Sequence, residues 1–308
     1  MERLVFPVLT PFAADVLAPL AARPDLEVVA VAIDVGSGAG LDGLRDMALV
    51  AGALRCHVVD KVDVLAASVC WPALRAGALA VPGEPVVTAL TMPVVAETLA
   101  EVCQHEQATT VGVWADDPAD RRRLRALLKT LAPSLGLVSV TGGGGEAATA
   151  NVWARVEPAD VSAVAPLATV GGAADVRIGF ERGVPMVLSG VTMTPAELIE
   201  SLATITRAHG AGRWQVRGAG RTGGTWTVHA PAALALQTAF DALTADRFDA
   251  PTSEMATTVA EGYAAVLRDG AWFSPVRAGL DAFVDRVLDP VSGEVRLRVV
   301  DGRIEVDA

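Results

Sequence analysis

The sequence predicts an α/β chain in two parts, a parallel sheet covered by helices followed by an α+β domain. Three observations predict it. Short apolar strands alternate with amphipathic helices through the first half, the pattern of βαβ units. A glycine-rich break interrupts the chain at Thr141–Ala150. Beyond it, hairpin turn signals replace the alternation.

The apolar run Leu4–Val8 predicts the first strand, Ala13–Ala22 a helix, and Glu27–Ile33 a second strand at βαβ spacing. That strand runs into Asp34-Val35-Gly36-Ser37-Gly38, a turn. A helix over Leu41–Leu54, a strand at Cys56–Val59 and a long helical region from Val62 to Leu79 follow, closed by a Pro82–Pro85 turn. Helix Pro93–His105, strand Thr110–Trp114, helix Ala119–Leu131 and strand Leu137–Val140 complete the first half. The run TGGGGEAATA then reads as a linker: consecutive glycines lose the most backbone entropy on ordering, and no Lys-Ser or Lys-Thr follows to make a phosphate loop.

In the second half Val176–Phe180 and Met186–Leu188 flank Glu181-Arg182-Gly183-Val184, a hairpin signal. Thr194-Pro195-Ala196-Glu197 predicts a helix start, with Thr194 as N-cap, Pro195 in the first turn and Glu197 closing a capping box. That helix runs to about His209 and stops at Gly210. Strands near Trp214–Arg217 and Thr225–His229 precede helices over Ala232–Ala245, Ser253–Arg268 and Val276–Val287. A last hairpin, Glu294–Val300 and Arg303–Val306, turns through Asp301-Gly302. The expected domains are 1–145 and 165–308, joined by a connecting segment over 146–164.

Composition narrows the function classes. Hydrophobic residues make up 52% of the 308, but no stretch reaches ~18 consecutive strongly apolar residues, so no membrane span is expected. Met1–Phe6 lacks the basic region and apolar core of a secretory leader, and a cytoplasmic location is the expectation. A net charge of −11 argues against a nucleic-acid partner. The basic cluster Arg121-Arg122-Arg123 with Arg125 reads as a solvated helix face. Cys56, Cys70 and Cys103 are odd in number and apolar in context, which predicts buried thiols and no metal site. His57, His105 and His209 show no partner spacing and read as surface or capping residues, and Trp272 and Phe273 as core.

The first turn, Leu9-Thr10-Pro11-Phe12-Ala13-Ala14-Asp15, is the informative place. A nucleotide-binding α/β protein needs backbone N–H groups here to close around phosphate. This turn has no glycine, and Pro11 removes a donor.

The chain resembles the argininosuccinate synthase family. The resemblance rests on Phe180–Pro185, Thr194–Ile199, His209–Arg213, Ala230–Ala232, Tyr263-Ala264, Gly270–Pro275 and Gly293–Leu297, with Ala32–Gly36 and Pro72–Ala78 in the first half. It covers most of the chain and implies an N-terminal adenine nucleotide alpha hydrolase-like domain and a C-terminal α+β synthetase-like domain. The family uses ATP and magnesium to join citrulline to aspartate through citrullyl-AMP. Its first turn, S-G-G-L-D-T-S, falls on Leu9–Asp15 with no identity. Its G-T-S-x-A-R-P falls on Val87–Pro93, keeping Thr88 and Pro93. Its T-G-K-G-N-D-Q-V-R-F-E falls on Ala115–Arg125, keeping Asp120 and Arg123 among ligand contacts. Its N-L-W-G-R-S survives as Asn151–Arg155 with Val156 at the serine, and Val228 and His229 stand where tyrosine and glutamate precede Ala-Pro.

The resemblance therefore implies Thr88, Asp120 and Arg123 as remnant substrate contacts and His229 as a new candidate. Other readings stay open for each: a helix cap for Thr88, an intrahelical ion pair for Asp120 and Arg123, a structural strand-end residue for His229, and a turn residue for Asp34. No catalytic residue, metal or cofactor is expected. The expected function is a non-catalytic homologue that acts as a regulatory or structural partner, alone as a homo-oligomer or with an active paralogue. The alternative is altered chemistry on a small amino or carboxylic acid in an interdomain cleft, and an active synthase ranks last. The family continues past the equivalent of Ala308 into a helical tail that reaches across subunits, so its tetramer is not expected.

Overall fold

The structure, a computed structural model, describes residues 2–38, 40–80, 89–115, 117–140, 149–159, 172–217 and 225–307. The chain divides into two compact units. One comprises Met1–Val62, Ala89–Ala147 and Leu267–Ser274; the other comprises Asp63–Thr88, Ala148–Val266 and Pro275–Ala308. The units interleave along the chain, which positional reading by itself does not capture.

The first unit holds the predicted parallel sheet. Strands β1 (Glu2–Val8), β2 (Leu26–Asp34), β3 (Arg55–Asp60), β4 (Thr110–Val113) and β5 (Gly136–Ser139) lie in the order β3-β2-β1-β4-β5. All four pairings are parallel. Leu4, Phe6 and Val8 of β1 and Val28, Ala30 and Ala32 of β2 pack with Val16 and Leu17 of helix α1 (Ala13–Ala21) and Leu44 and Ala48 of α2 (Leu41–Val50). The alternate residues Val5, Val29, Val31 and Ile33 are buried too, and helix α5 (Thr91–Glu106) packs on β1 and β2 and against α6 (Pro118–Leu131). Burial on both faces explains the nearly continuous apolar strands. Gly112 is required by this packing, because a Cβ there would lie 2.7 Å from the ring of Phe6, which itself sits 5.9 Å from the Trp114 ring.

Between Leu41 and Leu79 the helices differ from the sequence reading for identifiable reasons. The helix expected to reach Leu54 ends at Val50, because Gly52 takes φ +100° and Leu54 N–H already pairs with the Val28 carbonyl. The region expected as one helix over Val62–Leu79 is α3 (Val62–Leu65), a π-helical segment (Ala66–Cys70) and α4 (Trp71–Arg75). Trp71 N–H reaches back to the Ala66 carbonyl, one residue beyond α spacing. Pro72 follows directly and has no N–H of its own to give the helix.

The second unit carries two antiparallel sheets. One is ordered β10-β9-β8-β13-β14, from β8 (Ala174–Glu181), β9 (Val184–Leu188), β10 (Val191–Thr192), β13 (Gly293–Val300) and β14 (Arg303–Asp307). Its three tight turns use paired left-handed residues, Arg182 (φ 51°) with Gly183 (φ 75°), Ser189 (φ 48°) with Gly190 (φ 88°) and Asp301 (φ 48°) with Gly302 (φ 77°), as a type I′ hairpin requires. The other sheet is β11-β12-β7-β6, from β6 (Thr149–Ala150), β7 (Arg155–Pro158), β11 (Arg213–Arg217) and β12 (Thr225–His229). Strands β6 and β7 fall in the stretch expected as linker and connection; residues 141–148 lie outside the described residues.

Helix α7 (Pro195–Ala208) has the predicted capping box: Glu197 N–H donates to Thr194 Oγ1 at 3.4 Å and Thr194 N–H to Glu197 Oε2 at 2.9 Å. Asp63 Oδ1 accepts from Ala196 N–H at 2.9 Å as well. Helices α8 (Pro231–Thr244), α9 (Ala250–Asp269) and α10 (Pro275–Leu288) follow. Helix α9 starts earlier than expected because Asp249 Oδ1 caps Thr252 N–H at 2.9 Å. Trp272 is core as expected, whereas Phe273 is only half-buried. Cys70 and Cys103 are buried; Cys56 is half-buried, contrary to expectation. Burial pushes all three thiols up, Cys103 to about 12, so none is a ready thiolate. No helix among the described residues is long and apolar enough to cross a membrane.

Candidate functional site

In a doubly wound parallel sheet, ligands bind beyond the carboxyl ends of the strands. At the end of β1 the chain turns through Leu9–Phe12 into α1. A helix start leaves its first N–H groups without helical partners, which is what makes it an anion site. In this turn Ala13 N–H donates to the Thr10 carbonyl at 3.1 Å and Ala14 N–H to the Pro11 carbonyl at 3.2 Å. Pro11 has no N–H, and exposed Asp15 puts a carboxylate in the first helical turn. A groove of about 660 Å³ beside this turn, between α1 and α2, is mostly apolar, and its charged side chains are Asp15 and Asp46.

At the end of β2, Asp34 Oδ1 accepts from Gly36 N–H at 2.8 Å, and Gly36 has φ 78°. The carboxylate is engaged by its own turn. At the end of β4 the chain enters α6, whose first turn is capped by Asp117 Oδ1 accepting from Ala119 N–H at 2.7 Å. Asp120 and Arg123 follow on one face. Arg123 Nη1 donates to Asp120 Oδ1 at 2.6 Å, and the two side chains are 6% and 5% exposed, Arg123 first. Arg123 Nε also donates to the Arg268 carbonyl at 2.9 Å. The basic cluster is thus not one solvated face: Arg122 is exposed, Arg121 and Arg125 are half-buried and Arg123 is buried. Apolar Leu124, Leu127 and Leu128 share the inward face and carry Arg123 with them.

In the second unit, His229 ends β12 directly across from Arg155 on β7. Its Nε2 lies 3.0 Å from Glu157 Oε1, and Arg155 Nε donates to Glu157 Oε2 at 3.0 Å. Burial alone would raise the Glu157 carboxyl, but the hydrogen bonds and charges of Arg155 and His229 outweigh it and hold the group below its ordinary value. The result is a half-exposed histidine–carboxylate pair, able to exchange a proton or to meet a polar ligand. Asn151 turns inward, its Oδ1 accepting from Trp153 N–H at 2.9 Å and Ala154 N–H at 3.0 Å. It thereby holds buried Trp153, whose ring meets Trp71 edge-on at 6.0 Å.

Thr88 lies outside the described residues. The structure brings Asp120 and Arg123 together within the first unit and gives His229 a partner in the second. Sequence reasoning missed Glu157, 72 residues from His229; the alternation Arg155-x-Glu157 on one strand face was the available signal. It also missed the partner of His57. His57 is half-buried with its Nε2 2.6 Å from Glu106 Oε1, so it is no simple surface residue. His209, by contrast, does end α7 as its C-cap.

Comparison with known proteins agrees with this architecture. Residues 13–142 match the family described as the arginosuccinate synthase N-terminal HUP domain. Residues 156–308 match the arginosuccinate synthase C-terminal domain. The chain is similar to the argininosuccinate synthase of Moorella thermoacetica, 30% identical over 329 aligned positions that take in 90% of this chain and 78% of the relative. It is also similar to that of Endomicrobium trichonymphae, 26% identical over 324 positions, 92% of this chain and 78% of the relative. With a parallel α/β unit, an antiparallel α+β unit, and matches to both family domains and to a relative at this identity, the chain belongs to the argininosuccinate synthase family.

Proposed function

We propose that this chain is a non-catalytic member of the argininosuccinate synthase family that acts as a structural or regulatory partner, in a homo-oligomer or together with an active paralogue. The observation that carries this reading is the first turn. A polyphosphate needs free N–H groups and positive charge. At Pro11–Asp15 one N–H is missing, two are taken by the Thr10 and Pro11 carbonyls, and the charge in the first helical turn is a carboxylate. These residues do not fit the phosphates of ATP. Losing a single donor to a developing anion costs about 10²–10³ in rate, and here several are lost at one place. Asp120 and Arg123, remnants of the family's substrate contacts, are reinterpreted as a structural ion pair.

The relatives carry the name of the ligase, so the test must be able to return that activity. Calorimetry of the full chain with magnesium-ATP is expected to give no binding at micromolar concentrations. Incubation with ATP, citrulline and aspartate is expected to release no AMP above background. Micromolar binding, or steady AMP release, overturns the proposal and restores the active synthase. Light scattering of the chain mixed with a catalytically active synthase from the same cells separates the homo-oligomer from the mixed assembly.

The second reading, altered chemistry on a small amino or carboxylic acid, is favoured by one observation, the half-exposed His229–Glu157 pair. It expects some such acid to raise the melting temperature of the wild type but not of His229→Ala. A panel of these acids that leaves both unmoved removes this reading.

A further inference from the structure

Three donor atoms meet at the amino-terminal edge of the parallel sheet, the edge opposite the turn discussed above. His57 lies on β3, the edge strand, and His105 and Glu106 are the last two residues of α5. One ring nitrogen of each histidine and a Glu106 oxygen all lie within 4.8 Å of one another. His57 Nε2 is 2.6 Å from Glu106 Oε1, and His105 Nδ1 is 3.9 Å from the same oxygen. The two imidazoles meet edge to face at 5.7 Å. We propose that His57 Nε2, His105 Nδ1 and Glu106 Oε1 form a binding site for a divalent transition metal of the zinc or cobalt type.

The distances suit such an ion. Tetrahedral bonds of about 2.0–2.2 Å set neighbouring donors roughly 3.3 Å apart, between the two separations observed. Small rotations of the two rings therefore close the site. The ligand set, two imidazoles and one carboxylate, leaves a fourth position for water. The surroundings hold the carboxylate in place. Glu106 is 5% exposed, its Oε2 faces Arg55 at 3.0 Å and Arg3 at 3.6 Å, and Arg3 Nη1 donates to the Glu106 main-chain carbonyl at 2.7 Å. Arg3 is itself held by Glu27 at 2.9 Å. Both guanidiniums engage Oε2, leaving Oε1 to the histidines, as outer partners orient a metal-binding carboxylate. Their charges oppose a cation, while the carboxyl end of α5 favours one. His105 is exposed, so an ion enters from solvent. Once bound, it fastens the edge strand β3 to α5.

Cobalt(II) titration of the full chain at about neutral pH tests the site. One ion per chain is expected, with visible d–d absorption of a nitrogen–oxygen site and a melting temperature raised by zinc. His105→Ala removes an exposed ring and leaves the fold intact. It is expected to weaken cobalt binding more than about 10-fold and to cancel the zinc-induced shift. Glu106→Gln is expected to weaken binding as well. Absence of stoichiometric binding overturns the proposal, as does unchanged affinity in His105→Ala. Thiolate-to-cobalt charge-transfer absorption also overturns it, since it would place the ion on a cysteine such as Cys56.

Discussion

Asp120–Arg123 and Glu157–His229 both join an acid to a base, but their surroundings differ. The first pair is about 5% exposed, on one helix, with Arg123 also tied to the Arg268 carbonyl. The second bridges two strands with its side chains 28% and 34% exposed, His229 first. A charge pair sealed from water is held by geometry and is very costly to break from one side. A half-exposed pair is screened, contributes little to stability and stays open to solvent and ligands. The contrast assigns architecture to the first pair and leaves the second as the accessible one.

Asp120→Ala should break the first pair with the largest effect. It takes from buried Arg123 the counter-charge that Asp120 supplies, and a loss of about 3–5 kcal/mol is expected in denaturant melts. A loss under 1 kcal/mol would mean the pair is as soft as the surface one. Gly270→Ala attacks the same pair through its backbone. A Cβ at Gly270, which has φ +68°, would lie 2.7 Å from the Arg123 carbonyl oxygen, and at least about 1–3 kcal/mol should be lost. Glu157→Gln should cost no more than about 0.5 kcal/mol, and added salt should shrink even that.

The pH dependence sharpens the same contrast. The folded Glu157 carboxyl sits below its ordinary value of 4.5, so its contribution is present above that value and fades as pH falls through the folded pKa. The acid limb of a stability–pH curve should therefore flatten slightly in Glu157→Gln. An unchanged limb would show that Arg155 and His229 do not hold the carboxylate in solution.

What could be seen in the sequence was what local chemistry decides. Thr194 and Glu197 stand three residues apart, and Arg182-Gly183 and Asp301-Gly302 bend where left-handed residues must, so the α7 cap and these two hairpins were legible. So was the parallel sheet covered by helices, which the alternation of strands and helices encodes. Pairings across distance were not. His57 finds Glu106 49 residues on, where α5 packs back along the sheet, and His229 finds Glu157 72 residues back across paired strands, and no short window contains either. Strand β7, four residues long, has too little pattern of its own and is defined by its neighbour β12. Arg123 reads as solvated because it stands in a run of arginines, and helical phase turns it in beside Leu124, Leu127 and Leu128.

The segment Leu267–Ser274, which belongs to the first unit, also sets an order of events during synthesis. Arg123 waits for a carbonyl 145 residues further along the chain. At ribosomal rates of about 5–20 residues per second, that delay is roughly 7–29 s. The nascent first unit must therefore survive with an unfinished flank while most of the second is made. A fragment cut after the glycine run would keep that flank open permanently.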